Sequence, residues 1–216
     1  MKLKNEFTTK TINIDVGDAI LPGFLTIPDQ ASSIVLFSHG SGSSRLSPRN
    51  NFVAKSLQNE QRLATLLVDL LTVKEDQIYS NRFDIDLLTK RLVSITDWVR
   101  QAPETRELSI GYFGASTGAA SALQAAAALG NTIKAVVCRG GRPDLAMDVL
   151  HKVIASTLLI VGELDTEVIE LNQKAFQKFI YNRKIEIIKN ASHLFEEPGK
   201  LQEVAVISGN WFTMYL

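Results

Sequence analysis

Hydrophobic and polar positions follow two patterns along this chain, which together predict a sheet flanked by helices. Short apolar runs predict about eight strands, at residues 11–16, 19–27, 32–38, 63–69, 108–113, 133–138, 157–161 and 184–188. Helical spacing begins at Asp84 and places five apolar side chains on one face before Pro103: Ile85, Leu88, Leu92, Ile95 and Val99. The first two strands, joined by Gly17-Asp18, predict an antiparallel pair. Later strands alternate with helices, which favours an α/β class with a mostly parallel sheet and helices on both faces.

Further helices are expected where helix-forming residues follow a strand. Ser47 is a candidate N-cap with Pro48 at the first helical position. An alanine-rich helix is expected at residues 119–129, and two more near residues 167–181 and 200–215. Between the strands that end at Cys138 and begin at Thr157 there is room for little more than one short helix. We therefore expect no large lid domain.

Length and charge limit the number of domains and the classes of partner. The 216 residues are 45% hydrophobic, enough for a full core but short for two domains, so residues 1–216 are predicted to form one domain. Lysine and arginine total 23, and aspartate and glutamate also total 23. This balance indicates neither nucleic acid nor a membrane surface as a partner, and it leaves the oligomeric state open.

Cysteine content and apolar runs bear on the compartment. A single cysteine, Cys138, forbids an internal disulfide, which fits a reducing compartment. The start, Met1 to Glu6, has no apolar leader segment, and the apolar runs are far shorter than the ~20 residues that span a bilayer. We therefore predict a cytoplasmic protein. The sequence shows no metal-ligand spacing, phosphate loop or dinucleotide fingerprint, so neither a cofactor nor a metal is predicted.

The strongest chemical signal is the segment Gly114-Ala115-Ser116-Thr117-Gly118. It follows an apolar run and opens the alanine-rich segment, so Ser116 is predicted at a sharp turn between a strand and a helix. In such a turn the serine backbone is strained and the strand nearly touches the helix, which requires small residues two positions before and after the serine. Gly114 and Gly118 meet this requirement, so Ser116 is the candidate nucleophile. An ordinary glycine-rich turn, without the rest of a hydrolytic site, is the alternative.

A serine nucleophile needs a base, and the chain has three histidines. His151 has no catalytic context and is expected to be a surface or boundary residue. His39 directly follows an apolar run and is expected to fix its own loop through a hydrogen bond from side chain to backbone. His193 lies just beyond a strand and before the last helix, where it can reach the top of a sheet. His193 is therefore the predicted base.

The acid that orients the histidine is expected at the carboxyl end of a strand, between the serine and the histidine in chain order. The apolar strand at residues 157–161 is followed by Gly162-Glu163-Leu164-Asp165. Asp165 is the better candidate, and Glu163, closer to the strand end, is the alternative. Asp165 is also a candidate N-cap for the helix that starts near Glu167, either in addition to the triad role or as its only role.

An oxyanion hole requires two backbone N–H groups directed at the developing negative charge. Thr117, directly after the candidate nucleophile, supplies the first. The loop His39-Gly40-Ser41-Gly42 follows an earlier strand, and its glycines allow the main chain to turn its N–H groups inward. Ser41 is the predicted second donor, and a merely flexible loop is the alternative.

These segments together resemble the α/β-hydrolases, and specifically the small dienelactone hydrolase-like branch. The resemblance covers the chain from about residue 33 to its end and rests on the segments 37–42, 114–118, 162–165 and 191–193. It implies an α/β-hydrolase fold and serine ester hydrolysis. Dienelactone hydrolases proper use a cysteine nucleophile where this chain has Ser116, and Cys138, inside a predicted strand, cannot stand in for it.

Four arginines fall in segments that this fold places around the mouth of the site: Arg45, Arg49, Arg139 and Arg142. A guanidinium there can hold a substrate carboxylate in a pair of parallel hydrogen bonds, and dienelactone carries such a carboxylate. Arg45 and Arg142 are the candidate substrate-binding residues, which would make the substrate anionic. Pairing with Asp144 or other acidic neighbours, or simple solvation, is the alternative.

The predicted function is hydrolysis of small soluble esters or lactones through an acyl-enzyme. Ser116 attacks the carbonyl, His193 accepts and then donates the proton, and Asp165 holds the imidazolium. The site is expected to be fairly open, with the loop at residues 71–83 as a partial cover. An acyltransferase or a peptidase on the same triad is an alternative, and a non-catalytic binding protein with a hydrolase fold is a second one.

Overall fold

Eight strands form one sheet in the computed structural model, which describes residues 7–216. The strands are β1 (Thr9–Asp15), β2 (Ile20–Thr26), β3 (Ser33–Ser38), β4 (Ala64–Val68), β5 (Ser109–Ala115), β6 (Ile133–Arg139), β7 (Ser156–Gly162) and β8 (Arg183–Ile188). Their order across the sheet is β1-β2-β4-β3-β5-β6-β7-β8. β2 pairs antiparallel with β1 and with β4, and the remaining pairs are parallel. The predicted mostly parallel sheet is thus confirmed, whereas Met1 to Glu6, for which the sequence predicts no leader, lie outside the described residues.

Helices cover both faces of this sheet, as predicted. The α-helices are α1 (Pro48–Glu60), α2 (Val73–Asp76), α3 (Ile85–Gln101), α4 (Thr117–Leu129), α5 (Thr166–Phe176) and α6 (Lys200–Tyr215). Buried side chains of α3, α4 and α5 belong to the core on one face, and those of α1 and α6 belong to the core on the other. The two cores explain why the central strands read as continuous apolar runs.

Strand β3 shows how one apolar run serves both cores. Ile34 and Leu36 belong to the core with α3 and α4, whereas Val35 and Phe37 belong to the core with α1 and α6. Successive side chains of a strand point to opposite faces, and a parallel strand is covered on both of them. All four side chains are therefore buried. The strand ends at Ser38, so the loop that begins with His39 emerges at the carboxyl edge of the sheet.

Two segments differ from the sequence-based expectation. α5 ends at Phe176 rather than near Tyr181, because Phe179 is buried in the core and the Arg183 Nε donates to the Phe176 carbonyl oxygen at 3.1 Å. The segment at residues 71–83, expected to be a polar loop, contains α2 and a 3₁₀ helix at Tyr79–Phe83. A reciprocal capping box between Thr72 and Glu75 begins α2 and stabilises this short helix.

Between β6 and β7 the chain forms only two short 3₁₀ helices, Pro143–Ala146 and Leu150–Lys152. The expectation that no large lid domain is inserted there is confirmed for the part of the chain that the structure describes. Short segments therefore border the sheet at the carboxyl end of β6.

Within residues 7–216, none of the helices combines the length and apolar character of a membrane span.

We expect Phe212→Ala to lower the free energy of unfolding by about 3–5 kcal/mol, because its fully buried ring fills the core beside α1 and the loss leaves a cavity. Urea unfolding followed by circular dichroism measures this change. Met214→Ala lies in the same helix, where Met214 is 71% exposed, and should change the free energy by less than about 0.5 kcal/mol. Equal losses in the two variants would contradict the described packing of α6.

Candidate active site

Ser116 lies at the tip of a sharp turn between β5 and α4. Its φ is 51° and its ψ is −122°, a combination that is strained for a residue with a side chain. The Ser116 N–H donates to the Arg139 carbonyl oxygen at 3.2 Å, and the Ser116 carbonyl oxygen accepts from the Arg142 N–H at 3.0 Å. The loop after β6 therefore holds the strained turn in place.

Two glycines allow this turn to be as tight as it is. A Cβ atom on Gly114 would lie 2.5 Å from the Ala119 Cα, and a Cβ atom on Gly118 would lie 2.2 Å from the Ser38 carbonyl oxygen. Both contacts are with backbone, so a side chain at either position would force strand, helix and loop apart. This is the close packing that the sequence pattern around Ser116 predicts.

His193, on the loop after β8, is held by Asp165, on the loop after β7. The His193 Nδ1 lies 2.6 Å from the Asp165 Oδ2. Asp165 occupies the N-cap position of α5, but its side chain makes no capping hydrogen bond there. The N-cap position expected from the sequence is therefore confirmed, but the carboxylate is turned to the imidazole and not to the helix backbone. With the proton on Nδ1, the Nε2 atom of His193 is left as the acceptor.

Glu163, the alternative acid, makes a different contact. Its Oε2 atom accepts a hydrogen bond of 2.8 Å from the Asn190 N–H. Asn190 has a φ of 54°, so this bond supports a left-handed residue in the loop that carries His193. Glu163 thus helps to shape the histidine loop, and the carboxylate that contacts the imidazole is that of Asp165.

Ser116 and His193 line one cavity of about 180 Å³ at the carboxyl edge of the sheet. Its wall also includes Gly40, Ser41 and Arg139. Within residues 7–216 the structure records no hydrogen bond between the Ser116 Oγ and His193. Such bonds are often long in the absence of substrate and shorten when a substrate is bound.

The two predicted oxyanion donors, Ser41 and Thr117, lie against each other. The Ser41 N–H donates to the Thr117 Oγ1 at 2.9 Å, so this donor is engaged by a side chain in the structure. A Cβ atom on Gly40 would lie 3.1 Å from the Ser116 Cβ, which shows how closely the loop approaches the serine turn. The Ser41 N–H is thus near Ser116. To bind an oxyanion, it would have to break its hydrogen bond to the Thr117 hydroxyl or share itself between the two acceptors.

His39 fixes the loop that contains Ser41, as the sequence predicts. Its Nδ1 is 3.0 Å from the Gly40 carbonyl oxygen, and its Nε2 accepts from the Leu70 N–H at 3.1 Å. This pair of bonds requires a neutral ring with its proton on Nδ1. Burial lowers the pKa of His39, although the bond to the Gly40 carbonyl opposes the shift. The imidazole is therefore a neutral link between two backbone segments.

The remaining histidine and the cysteine are outside the catalytic geometry. Cys138 is fully buried in β6, and burial raises the pKa of its thiol. A buried thiol of this kind is neither exposed nor ionised at neutral pH, so it is unsuited to act as a nucleophile. His151 is exposed in the 3₁₀ helix at Leu150–Lys152, as expected of a surface residue.

Arg45 and Arg142, the predicted substrate-binding arginines, both have aspartate partners outside the cavity wall. The Arg45 guanidinium contacts Asp69, and the Arg45 N–H donates to the same carboxylate at 2.6 Å. Arg142 donates from Nε and Nη2 to the two oxygens of Asp144, at 2.8 Å each. Neither guanidinium therefore lines the cavity with Ser116, although the Arg142 backbone contacts that residue, and pairing with acidic neighbours, the alternative, describes both side chains.

Arg139 and Arg49, the other two arginines of the group, do line the cavity. Arg139 ends β6 beside Ala115, the residue before the nucleophile. Arg49 lies in the first turn of α1. In the sequence, Arg139 directly follows the predicted strand that ends at Cys138, and this position could have singled it out as a residue of the site. Arg142, three positions further on, directs its side chain to Asp144 instead.

We expect stability to decrease below pH 6.5, in part through His39. Because the pKa of His39 in the folded protein lies below its ordinary value of 6.5, the unfolded state binds more protons between the two values. The stability due to neutral His39 is thus fully present above pH 6.5 and is lost as the pH falls. Thermal unfolding between about pH 5 and 8 should give a shallower dependence for His39→Gln than for the native protein.

The exposed His151 provides the control for this experiment. His151→Gln should retain the pH dependence of the native protein. If His39→Gln also retained it, the buried imidazole would not be the source.

Comparison with known proteins shows close similarity to one solved structure. A dienelactone hydrolase from Anabaena variabilis is 51% identical, with a TM-score of 0.94, and the match covers 97% of this chain and 99% of that chain. Two structures that are 16% identical share the fold: Est1E from Butyrivibrio proteoclasticus (TM-score 0.81, 94% and 98% covered) and an esterase of Pyrococcus furiosus (TM-score 0.80, 97% and 92% covered). No protein-family model matches the chain.

Two curated proteins, from two strains of Mycobacterium tuberculosis, are 48% identical to this chain over 205 residues and bear the name phosphoribosyl transferase. The match covers 95% of this chain but 46% of each relative, so the chain spans about half the length of the curated relatives it matches. The identity to the Anabaena protein, in contrast, extends over nearly the whole of both chains. This chain therefore belongs to the dienelactone hydrolase-like family of α/β-hydrolases.

Proposed function

We propose that this protein is a cofactor-independent serine hydrolase that cleaves carboxylic esters or lactones of small substrates. The observation that carries the proposal is the shared cavity, in which Ser116 on its strained turn faces the same space as His193, whose Nδ1 lies 2.6 Å from Asp165. A nucleophile, a base and an acid on three separate strand ends are the parts that acyl transfer requires.

The proposed reaction has two stages. The Ser116 Oγ attacks the carbonyl carbon while the His193 Nε2 takes the hydroxyl proton, and the Asp165 carboxylate stabilises the imidazolium. His193 then gives the proton to the departing alkoxide, which leaves as an alcohol and generates an acyl-serine. A water molecule attacks the acyl group in the same manner, and its proton returns through His193 to Ser116 as the acid is released.

The proposed oxyanion donors are the backbone N–H groups of Thr117 and Ser41. Because the Ser41 N–H donates to the Thr117 Oγ1 at 2.9 Å, a rotation of the threonine side chain would free it for the negatively charged oxygen. Preorganised backbone donors of this kind contribute strongly because they face the charge where it develops. The link through His39 keeps the Ser41 loop at the required position while the threonine moves.

The size of the cavity and the relatives support small esters or lactones. A volume of about 180 Å³ is below the ~300–1,000 Å³ of pockets that enclose larger ligands. The Anabaena relative is named a dienelactone hydrolase, whereas the phosphoribosyl transferase name belongs to proteins of which the chain covers 46% and assigns no activity to it. The cytoplasmic location stays a prediction from the sequence.

Ser116→Ala should abolish both the hydrolysis of p-nitrophenyl acetate and labelling by a fluorophosphonate probe, because it removes the hydroxyl that the proposed mechanism uses as the nucleophile. Mass spectrometry of the labelled protein locates the adduct. Ser43→Ala is the matched control, since Ser43 lines the same cavity, and it should still be labelled. An adduct on a residue other than Ser116 would reject the assignment.

Asp165→Asn should reduce kcat by roughly 10⁴-fold, the loss seen when the orienting carboxylate of a serine triad is replaced by an amide. Glu163→Gln is the control, because the Glu163 side chain accepts its hydrogen bond from the backbone of the histidine loop and not from the imidazole. Steady-state kinetics with p-nitrophenyl acetate should show a much smaller loss for Glu163→Gln. The opposite ranking would transfer the acid role to Glu163.

A further inference from the structure

An arginine is buried without an acidic partner at the wall of the proposed active site. Arg139 is 5% exposed and lines the cavity together with Ser116 and His193. Its Nε atom is buried and has no hydrogen-bond partner. The ring of Phe195 lies 5.9 Å from its Cζ, and no carboxylate within residues 7–216 lies within ion-pair distance of it. The guanidinium is thus placed beside the nucleophile with its charge uncompensated.

Arg91, the other buried arginine within residues 7–216, has acidic partners. Arg91 is 2% exposed, and its guanidinium contacts both Asp18 and Glu75, the latter at 2.6 Å. Burying a charge without a partner is costly, and active sites are where such a cost is commonly found. The contrast between Arg91 and Arg139 indicates that the partner of Arg139 is a ligand.

A second positive charge faces the same space. The Arg49 Nη1 donates to Glu196 at 3.0 Å, but this glutamate is 63% exposed, so water screens the pair. The Arg49 Nε is buried without a partner. Burial, with a further contribution from the nearby charge of Arg49, lowers the pKa of Arg139 to about 10, which still leaves it charged at neutral pH. Two like charges are therefore held close together.

The N-terminus of α1 faces the cavity as well. Ser47, the N-cap, and Asn50 in the first turn belong to the wall. This helix of 13 residues has no acidic residue in its first turn that would neutralise the positive end of its dipole. Helix N-termini bind phosphate groups through their free N–H groups and this dipole. The buried Arg139 is an independent observation that points to the same kind of ligand.

We propose that Arg139, Arg49 and the N-terminus of α1 bind a phosphate group of the substrate, so that the ester attacked by Ser116 carries a phosphate monoester. The inference rests on the proposed hydrolase function. Two guanidinium groups and a helix N-terminus match the charge of about −1.5 to −2 on such a phosphate near pH 7, whereas a carboxylate would neutralise only one of them. Because the cavity is small, the phosphate lies few bonds from the carbonyl carbon.

Inorganic phosphate is the first probe, and Ser116→Ala is the protein in which to measure its binding. Isothermal titration calorimetry at fixed ionic strength should show phosphate binding, with acetate at least about tenfold weaker, since a charge-assisted bond contributes a factor of this size. Phosphate should also inhibit hydrolysis of p-nitrophenyl acetate by the native protein competitively.

Variants of the arginines locate the site. Arg139→Met should weaken phosphate binding by at least about tenfold, and Arg49→Gln by several-fold. Arg142→Gln is the matched control, because its guanidinium is paired with Asp144, and it should bind phosphate like the native protein. In phosphate-free buffer Arg139→Met should unfold at the same temperature or higher, because an uncompensated buried charge has been removed. If Arg139 only stabilised the fold, Arg139→Met would instead unfold at a lower temperature and bind phosphate like the native protein.

A matched pair of esters tests the substrate class. The acetate ester of 2-hydroxyethyl phosphate should have a kcat/KM at least about tenfold above that of 2-methoxyethyl acetate, and Arg139→Met should remove this preference. Equal rates for the two esters in the native protein would overturn the proposal. Phosphate binding that is unchanged in both Arg139→Met and Arg49→Gln would overturn it too.

The two proposals fail in distinguishable ways. If Ser116→Ala binds phosphate through Arg139 but the native protein is neither labelled by fluorophosphonate nor active on any ester, the hydrolase function fails and the anion site stands. If the native protein hydrolyses neutral esters and phosphate does not bind, the anion site fails and the hydrolase function stands.

Discussion

The close contact between the turn at Ser116 and the loop after β3 is the constraint on which the rest of the site depends. Gly118 packs against the Ser38 carbonyl oxygen so closely that a Cβ atom would lie 2.2 Å from it. This contact sets the distance between Ser116 and the loop that carries Ser41. The end of β6 and the loop after it hold the same turn from the other side through the backbone of Arg139 and Arg142. Because backbone meets backbone here, little freedom is left for the serine to move.

The absence of an acidic partner within residues 7–216 distinguishes Arg139 from three other arginines. Arg45 pairs with Asp69, Arg91 with Asp18 and Glu75, and Arg142 with Asp144. At the cavity, the Asp165 carboxylate contacts His193, and no carboxylate within residues 7–216 pairs with Arg139. Of the two buried arginines within residues 7–216, Arg91 is neutralised by acids, whereas Arg139, beside Ser116, has a charge to offer to a ligand.

Membership of the dienelactone hydrolase-like family fixes the architecture but not the substrate. The turn between β5 and α4 carries Ser116 where dienelactone hydrolases proper carry cysteine, and the only thiol of the chain, Cys138, is buried in β6. The match to this chain covers only 46% of each relative from Mycobacterium tuberculosis. The activity of a whole relative therefore bears on this chain only through the part that aligns. Substrate choice therefore depends on the few side chains that line the cavity.

The sequence by itself determined the parallel sheet, the turn at Ser116 and the loop fixed by His39, because these follow from local patterns: apolar runs, small residues at set distances and strand ends. It favoured Asp165 over Glu163 as the acid that contacts His193 and kept Glu163 as the alternative, since both follow the same strand and the packed loops decide which carboxylate reaches the imidazole. It also gave Arg45 and Arg142 preference over Arg139. Ion pairing depends on how the folded segments meet, and for that reason only the tertiary structure decided which arginine has an acidic partner and which, within residues 7–216, lies without one beside Ser116.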